Sequence, residues 1–566
     1  MSTDHRDPRE DSSEHPAHSA PGTAIDHGLV PGRHTETDRS LTVAEIAGAV
    51  ADAARADGAT DVPAHGHNKW LTLVAVCLGT FMLLLDVTIV NVALPDIQNA
   101  LKSSFSDLQW VVDAYALTLA ALLLTAGSLA DLYGRRKLFV VGLTLFTLAS
   151  LLCGVAPNTL TLELARGLQG VGGAIMFSVS LALLANAFRG KDRATAFGVW
   201  GAITGLAVAI GPLLGGALTT GLSWRWIFFV NLPIGIGAVV LTLTAVAESR
   251  LEDSRRPDWL GFVLFTIGLA GLVYGLIESN QRSFGDTRVI AALVAAGVFI
   301  VAFLMAEFRG SHPMFDLSLF RKPTFVGGSV AAFGLSASIF ALLLYLVLYV
   351  QDVLQFSALQ TGLRLLVLSG GILATSTLAG RLTGHVPIRW LIGPGLLLVG
   401  VGLLLMRGLD ASTGWTHLIP GLIVAGAGVG MVNPPLASTA IGVVPPQQAG
   451  MASGVNSTFR QVGIATGIAL LGTLFASRVK SEVLDLVAHT PFAKHGAQLA
   501  DAVKSGALNK VTAKIPADQR AKVTHVAATA FTNALDLILL VAAVIALVSA
   551  VVALCTIRNK DLVDQR

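Results

Sequence analysis

The chain has 566 residues, 53% of them hydrophobic and 13% charged, with a formal net charge of +3 and a mean hydropathy of +0.68. Soluble globular domains carry about 25% charged residues, so most of this chain is not built to face water. The positive excess is too small for a nucleic-acid binder, and Cys77, Cys153 and Cys555 sit in apolar stretches without the spacing of a metal site or a disulfide framework.

Residues 1–69 read as a tail rich in His, Asp, Arg, Ser, Pro and Gly, with no signal-peptide pattern. Such a composition buries too little apolar surface to offset its ordering entropy, which predicts disorder. From Trp70 onward, apolar runs recur at the length that a bilayer core of ~30 Å requires, about 20 residues per helix. They predict spans at 70–95, 107–130, 138–156, 159–187, 195–220, 226–247, 258–278, 288–308, 325–352, 359–381, 388–408, 416–441, 450–477 and 528–555. The expectation is an all-α polytopic membrane protein with fourteen transmembrane helices. Segment 478–527 is expected to be a partly helical outer loop, and 556–566 a short tail.

Short loops set orientation through their Lys and Arg content. With the N-terminus inside, fourteen such residues fall in inner loops, from Arg135 to Arg389, against five outside: Lys102, Arg225, Arg282, Arg288 and Arg407. Both termini are therefore expected in the cytoplasm, in a cell-membrane protein. The polar segments 248–257 and 309–324 bracket two extra helices. This gives a 6+2+6 plan: 70–247, then 248–324, then 325–555, the two six-helix bundles being pseudo-symmetric halves.

The second span ends in Gly127-Ser-Leu-Ala-Asp131-Leu-Tyr-Gly134-Arg135-Arg136-Lys137. Its glycines permit a tight turn and close helix approach, and Asp131 is suited to face a helix N-terminus or pair with Arg135. This segment resembles the signature of the major facilitator superfamily. Three more stretches are similar to motifs of that superfamily's drug exporters: Leu85-Asp86-Val-Thr88-Ile-Val-Asn91-Val-Ala-Leu-Pro95, Leu162-Glu-Leu-Ala-Arg166-Gly-Leu-Gln169-Gly170, and Gly211-Pro212-Leu-Leu-Gly215-Gly216. The stretches Trp224 to Gly235 and Ala452 to Gly463 resemble the fourteen-helix drug:proton antiporter family in particular. Ala207 and the proline-free start of the tenth span, Thr361 to Ser369, depart from its pattern. The resemblance implies the major facilitator fold and proton-coupled antiport of small lipophilic, often cationic, drugs or antibiotics. It implies no cofactor or metal and no enzymatic activity, and a chain working as a monomer. A dedicated exporter of an endogenous natural product, siderophore or lipid is the alternative; an importer or a membrane sensor fits less well. No Gly-x-x-x-x-Gly-Lys-Ser/Thr is present, which argues against ATP as the energy source.

Carboxylates inside a bilayer cost several kcal/mol unless paired or wet, and mark function by default. At about 1.5 Å per residue, Asp86, Asp113, Glu163 and Arg166 fall at similar depth in the outer half of the first bundle, an expected proton relay. Pro212 among glycines predicts a bent fifth span packed tightly on the second bundle. Candidate linings of a cavity between the halves are Met176, Phe177, Phe340, Tyr345, Tyr349, Met431 and Arg460, whose aromatic and thioether surfaces accept varied lipophilic shapes.

Overall fold

The computed structural model describes residues 68–103, 105–250, 258–282, 284–310, 315–383, 385–445, 448–488, 490, 493–504 and 517–561. The tail and most of segment 248–257 lie outside the described residues. Every regular element described is helical: α1 (Lys69–Leu101), α2 (Phe105–Tyr133), α3 (Arg135–Gly154), α4 (Thr159–Ala187), α5 (Gly190–Gly221), α6 (Trp226–Ala245), α7 (Trp259–Arg282), α8 (Thr287–Arg309), α9 (Pro323–Val353), α10 (Ala358–Leu382), α11 (Arg389–Leu405), α12 (Leu418–Gly442), α13 (Ala449–Val487), α14 (Gly496–Lys504) and α15 (Ala517–Thr556). Among the described residues twelve helices are long and apolar enough to cross a membrane. Outside that twelve, α5 is a 32-residue helix and α11 an apolar helix of 17 residues.

Local chemistry sets several of the helix starts. Asn68, Asn158 and Asp286 each accept an amide of the first turn, and Ser357 forms a reciprocal capping box with Gln360. The turn between α2 and α3 is a single residue, Gly134 at φ +109°, a conformation that side chains resist. Two π-type turns, Ser336–Phe340 and Tyr349–Val353, interrupt α9; such bulges locally widen a helix and often lie at functional positions.

Helices α1–α6 pack on one another, as do α9–α13 with α15. The α7–α8 hairpin rests on both groups through α7, where Leu269 and Val273 meet Ala120 of α2 and Val462 and Ala465 of α13. The two groups join along α2–α13 and α5–α10. In lipid, apolar area gives helices no preference for each other, so such seams depend on small residues that bring backbones together.

The segment 478–527, expected to be partly helical, has helix at both ends and between: α13 continues to Val487, α14 follows, and α15 begins at Ala517, so these two spans are longer than expected. The apolar run of α13 ends before Arg478, but Val479, Val483 and Val487 keep one face buried in a cluster with Val523 and Ala527. Asn533 donates to Glu482 at 3.1 Å and Arg478 pairs with the same carboxylate. Helicity therefore outlasts the hydrophobic stretch by ten residues on this helix.

Candidate functional site

Asp86 of α1 and Arg166 of α4 form an ion pair at 2.5 Å, 0% and 1% exposed. Further hydrogen bonds hold each group. Arg166 Nε donates to the Val111 carbonyl at 3.0 Å and Nη1 to Gln169 at 2.8 Å, while the Tyr115 ring lies 4.2 Å from its guanidinium carbon. Asp86 Oδ1 accepts from Gln169 Nε2 at 2.8 Å and Asn231 Nδ2 at 3.2 Å. Ser150 of α3 accepts from Asn231 at 3.0 Å and donates to the Phe228 carbonyl. Helices α1, α2, α3, α4 and α6 thus converge on this ion pair and the side chains bonded to it. A buried pair needs partners for its remaining lone pairs and protons, and here both oxygens of Asp86 and the Nε and Nη1 of Arg166 have them. Thr88 donates to carbonyls of its own helix and takes no part.

The other two acids of the expected relay lie elsewhere. Rise per residue does not fix which way a side chain faces around its helix. Asp113 lies one turn beyond Trp110, which stacks on Tyr274 of α7 at 6.0 Å. Tyr274 in turn donates to the buried Glu278, whose charge Asp113 feels, so Asp113 belongs to the boundary between α2 and α7. Glu163 sits part-exposed near the start of α4, within electrostatic reach of Asp107. Neither acid makes an ion pair among the described residues. Gln169 and Asn231 stood in the quoted motifs without an assigned role, and Ser150, in a purely apolar run, carried no signal.

At the far end of α2, Asp131 joins the two groups of helices. Its oxygens accept the amides of Gly450 at 3.0 Å and Met451 at 2.8 Å, the uncapped first turn of α13, and Arg135 binds the same carboxylate at 2.8 Å. A carboxylate at a helix N-terminus satisfies orphan amides and meets the positive end of the helix dipole. Gly127 has no Cβ to keep α2 from the Gly450 carbonyl. Arg136 reaches the Leu243 carbonyl at 2.6 Å, and Glu248 accepts the amides of Arg136 and Lys137, each at 3.1 Å.

The glycines of α5 divide between two faces. Gly198 and Gly201 meet Gly380 and Ser376 of α10, across the seam. Gly211 and Gly215, expected against the second bundle, lie instead on Thr88 and Ile89 of α1. The helix runs unbroken through Pro212 and Gly216. The reason is spacing: residues 198 and 201 are more than ten positions from the proline, on the face turned to α10.

Among the expected cavity linings, Tyr345 and Tyr349 are interior to the second group. Tyr345 packs on Phe475 at 4.9 Å; Tyr349 stacks on Phe531 and donates to the Thr413 carbonyl at 3.0 Å. Phe340 packs on the same core. Met176 is in the core of the first group, and Met431 lies beside Gly395 of α11. Phe177 stacks on Trp200, whose Nε1 donates to Thr80 of α1. Arg460 donates to Asn433 of α12 at 3.0 Å. Asp536, mid-helix in α15, pairs with Arg407 at 2.8 Å and caps the Gly408 amide, tying α11 to α15.

Two helix groups with a buried ion pair in one, joined at one end by a carboxylate lock, define a multi-pass membrane transporter. Residues 76–468 match the Major Facilitator Superfamily, and the chain belongs to that family. It is 39% identical over 412 residues to "Multidrug resistance protein Stp" of Mycobacterium tuberculosis (strain CDC 1551 / Oshkosh), covering 73% of this chain and 76% of that one. Similarity to the "Tetracenomycin C resistance and export protein" of Streptomyces glaucescens is 32% over 88% and 94% of the two chains. Among solved structures, the human organic anion transporter MFSD10 (TETRAN) superposes with a TM-score of 0.54 at 17% identity, over 78% of this chain and 97% of that one. That likeness concerns the fold alone.

Proposed function

We propose that the protein exports small lipophilic drugs or antibiotics across the cytoplasmic membrane in exchange for protons. The observation that carries the reading is the buried Asp86–Arg166 pair with its ring of Gln169, Asn231 and Ser150. Protonation of Asp86 removes the charge that holds Arg166, and the released guanidinium is a local source of conformational bias. One proton crossing the membrane supplies ~2.3 kcal/mol per ~100 mV of potential, equivalent to a substrate gradient of some tens-fold. Resistance exporters among the relatives support the direction of transport. In this reading α1–α13 and α15 supply fourteen spans in a 6+2+6 plan, both termini are cytoplasmic, and the chain works as a monomer. Asp113 and Glu163 remain candidates for delivering the proton. The relative named for a single antibiotic favours a dedicated natural-product exporter as second reading.

Accumulation of fluorescent lipophilic dyes, one cationic and one acidic, in cells expressing the protein, with and without a protonophore, tests the proposal. Low accumulation that rises with the protonophore is expected, and Asp86→Asn is expected to abolish the difference. Export that is indifferent to the protonophore would overturn proton coupling.

A further inference from the structure

Arg460 lies about 15 Å along α13 from the Asp131 end, near the middle of a span. The side chain is 8% exposed. Its Nη1 donates to Asn433, whereas Nε and Nη2 are buried with no hydrogen-bond partner. Among the described residues it makes no ion pair. Two carboxylates of the second group, Asp536 and Glu482, are committed at the opposite end, to Arg407 and Arg478.

Nε and Nη2 form one edge of the guanidinium, the fork that receives both oxygens of a carboxylate in parallel hydrogen bonds. Asn433 thus holds one corner of the guanidinium and leaves that fork open. Asn433 precedes Pro434 and Pro435 in α12, and its Cβ is 3.7 Å from where a side chain on Gly201 of α5 would begin. The site therefore borders the seam between the two groups of helices. Ser453 and Thr458, on the same helix as Arg460, also bury unpartnered hydroxyls. An uncompensated guanidinium at membrane depth is among the most expensive features a span can carry. Arg166 escapes that penalty through Asp86, and among the described residues Arg460 has no such partner.

We infer that Arg460, held by Asn433, is the recognition group for an acidic oxygen of the exported compound, a carboxylate or phenolate on an apolar ring system. The inference rests on the export reading and narrows its substrate class. The unpaired charge at the seam is positive, while the buried carboxylates Asp86 and Asp131 of the first group are each paired with an arginine, so the charge at the seam favours an acidic group on the cargo. The ligand reaches the fork when the helices part at the Asp131 end.

The test is equilibrium binding of 9-anthracenecarboxylate and of neutral 9-anthracenemethanol to the purified full-length protein, without a proton gradient. The wild type is expected to bind the carboxylate about tenfold tighter or more, the scale of a charge-assisted pair. Arg460→Gln is expected to erase the preference, and Arg460→Lys, a point charge without the fork, to keep only part of it. Asn433→Asp supplies an internal carboxylate and is expected to erase the preference with the arginine intact, which covers the case where Arg460→Gln fails to fold. Equal or absent binding of the two probes by the wild type overturns the inference, as does a preference that survives in Arg460→Gln or Asn433→Asp. No proton moves in this assay, so its failure leaves proton-driven export standing, and the reverse holds for the protonophore experiment.

Discussion

The carboxylate of Asp131 accepts the backbone amide of Gly450 at 3.0 Å, 319 residues away in sequence. A bond between one side chain and the first turn of another bundle's helix holds only while that end stays closed. It therefore biases an equilibrium, and its strength is measurable as one. Asp131→Asn keeps the shape but removes the charge that meets α13 and Arg135. Loss of a buried charge-assisted bond is worth about 1–3 kcal/mol, a factor of about ten or more. Ser453→Cys, buried one turn into α13, reports the opening. In a Cys555→Ser background, its maleimide labelling rate is expected to rise about tenfold when Asp131→Asn is added.

The Asp86–Arg166 pair makes a prediction about stability that differs from its prediction about transport. Removing one partner leaves the other charge buried and uncompensated, at about 3–5 kcal/mol. Arg166→Gln is therefore expected to lower the unfolding temperature in detergent more than the double variant Asp86→Asn with Arg166→Gln. Both are expected to lose protonophore-sensitive export. Equal destabilisation of single and double variants would show that the pair is not coupled.

The same substitution at two glycines is expected to act with opposite sign. A Cβ at Gly211 would run into Thr88, with the Ile89 amide behind it, whereas Gly237 has nothing within 4 Å. Gly211→Ala is expected to lower stability by about 1–3 kcal/mol, the range of overpacking. Gly237→Ala is expected to be neutral or to gain up to about 1 kcal/mol from helix propensity. Thermal unfolding of the two purified variants checks this directly.

Asp410 lies in the connection between α11 and α12. The Ser412 hydroxyl and amide, each donating at 2.7 Å, and the neighbouring Thr413 hold its carboxyl below the usual carboxylate range. A depressed folded value means that the contribution is fully present above the unfolded pKa of about 3.9 and is lost as pH falls through the folded value. Hydrogen exchange at Ser412, corrected for intrinsic rates, is expected to stay slow at pH 5 and to quicken only below the ordinary carboxyl range. Asp410→Asn is expected to remove that pH dependence.

Apolar runs long enough for a bilayer are the strongest signal a sequence offers, and they placed α2, α4, α7, α8 and α10 to within a few residues. The signature around Asp131 was equally legible, because its residues act within a few positions of each other and at a helix end. Rise per residue also put Asp86 and Arg166 at one level, and they pair there. What it omits is rotation about the helix axis. Asp113, expected at the depth of Arg166, meets α7 instead, and Tyr345 and Tyr349 face the core of their own bundle. Ser150 became part of the site only through folding, as one hydroxyl in an apolar helix. The lengths of α13 and α15 were missed because hydropathy reports lipid, and both helices continue after the lipid ends.

Those two helices have 39 and 40 residues, about 58 and 60 Å at the α-helical rise, against a hydrocarbon core of ~30 Å. They project from the end opposite Asp131, zipped by Val479, Val483 and Val487 against Val523 and Ala527. Both belong to the second group of helices, so the projection is a rigid mast fixed to one half of the transporter. A nanobody raised against it would serve as a fiducial for electron microscopy of a protein otherwise hidden in its micelle. Because the mast moves with one half only, its tilt against the other half would read out the transport cycle image by image.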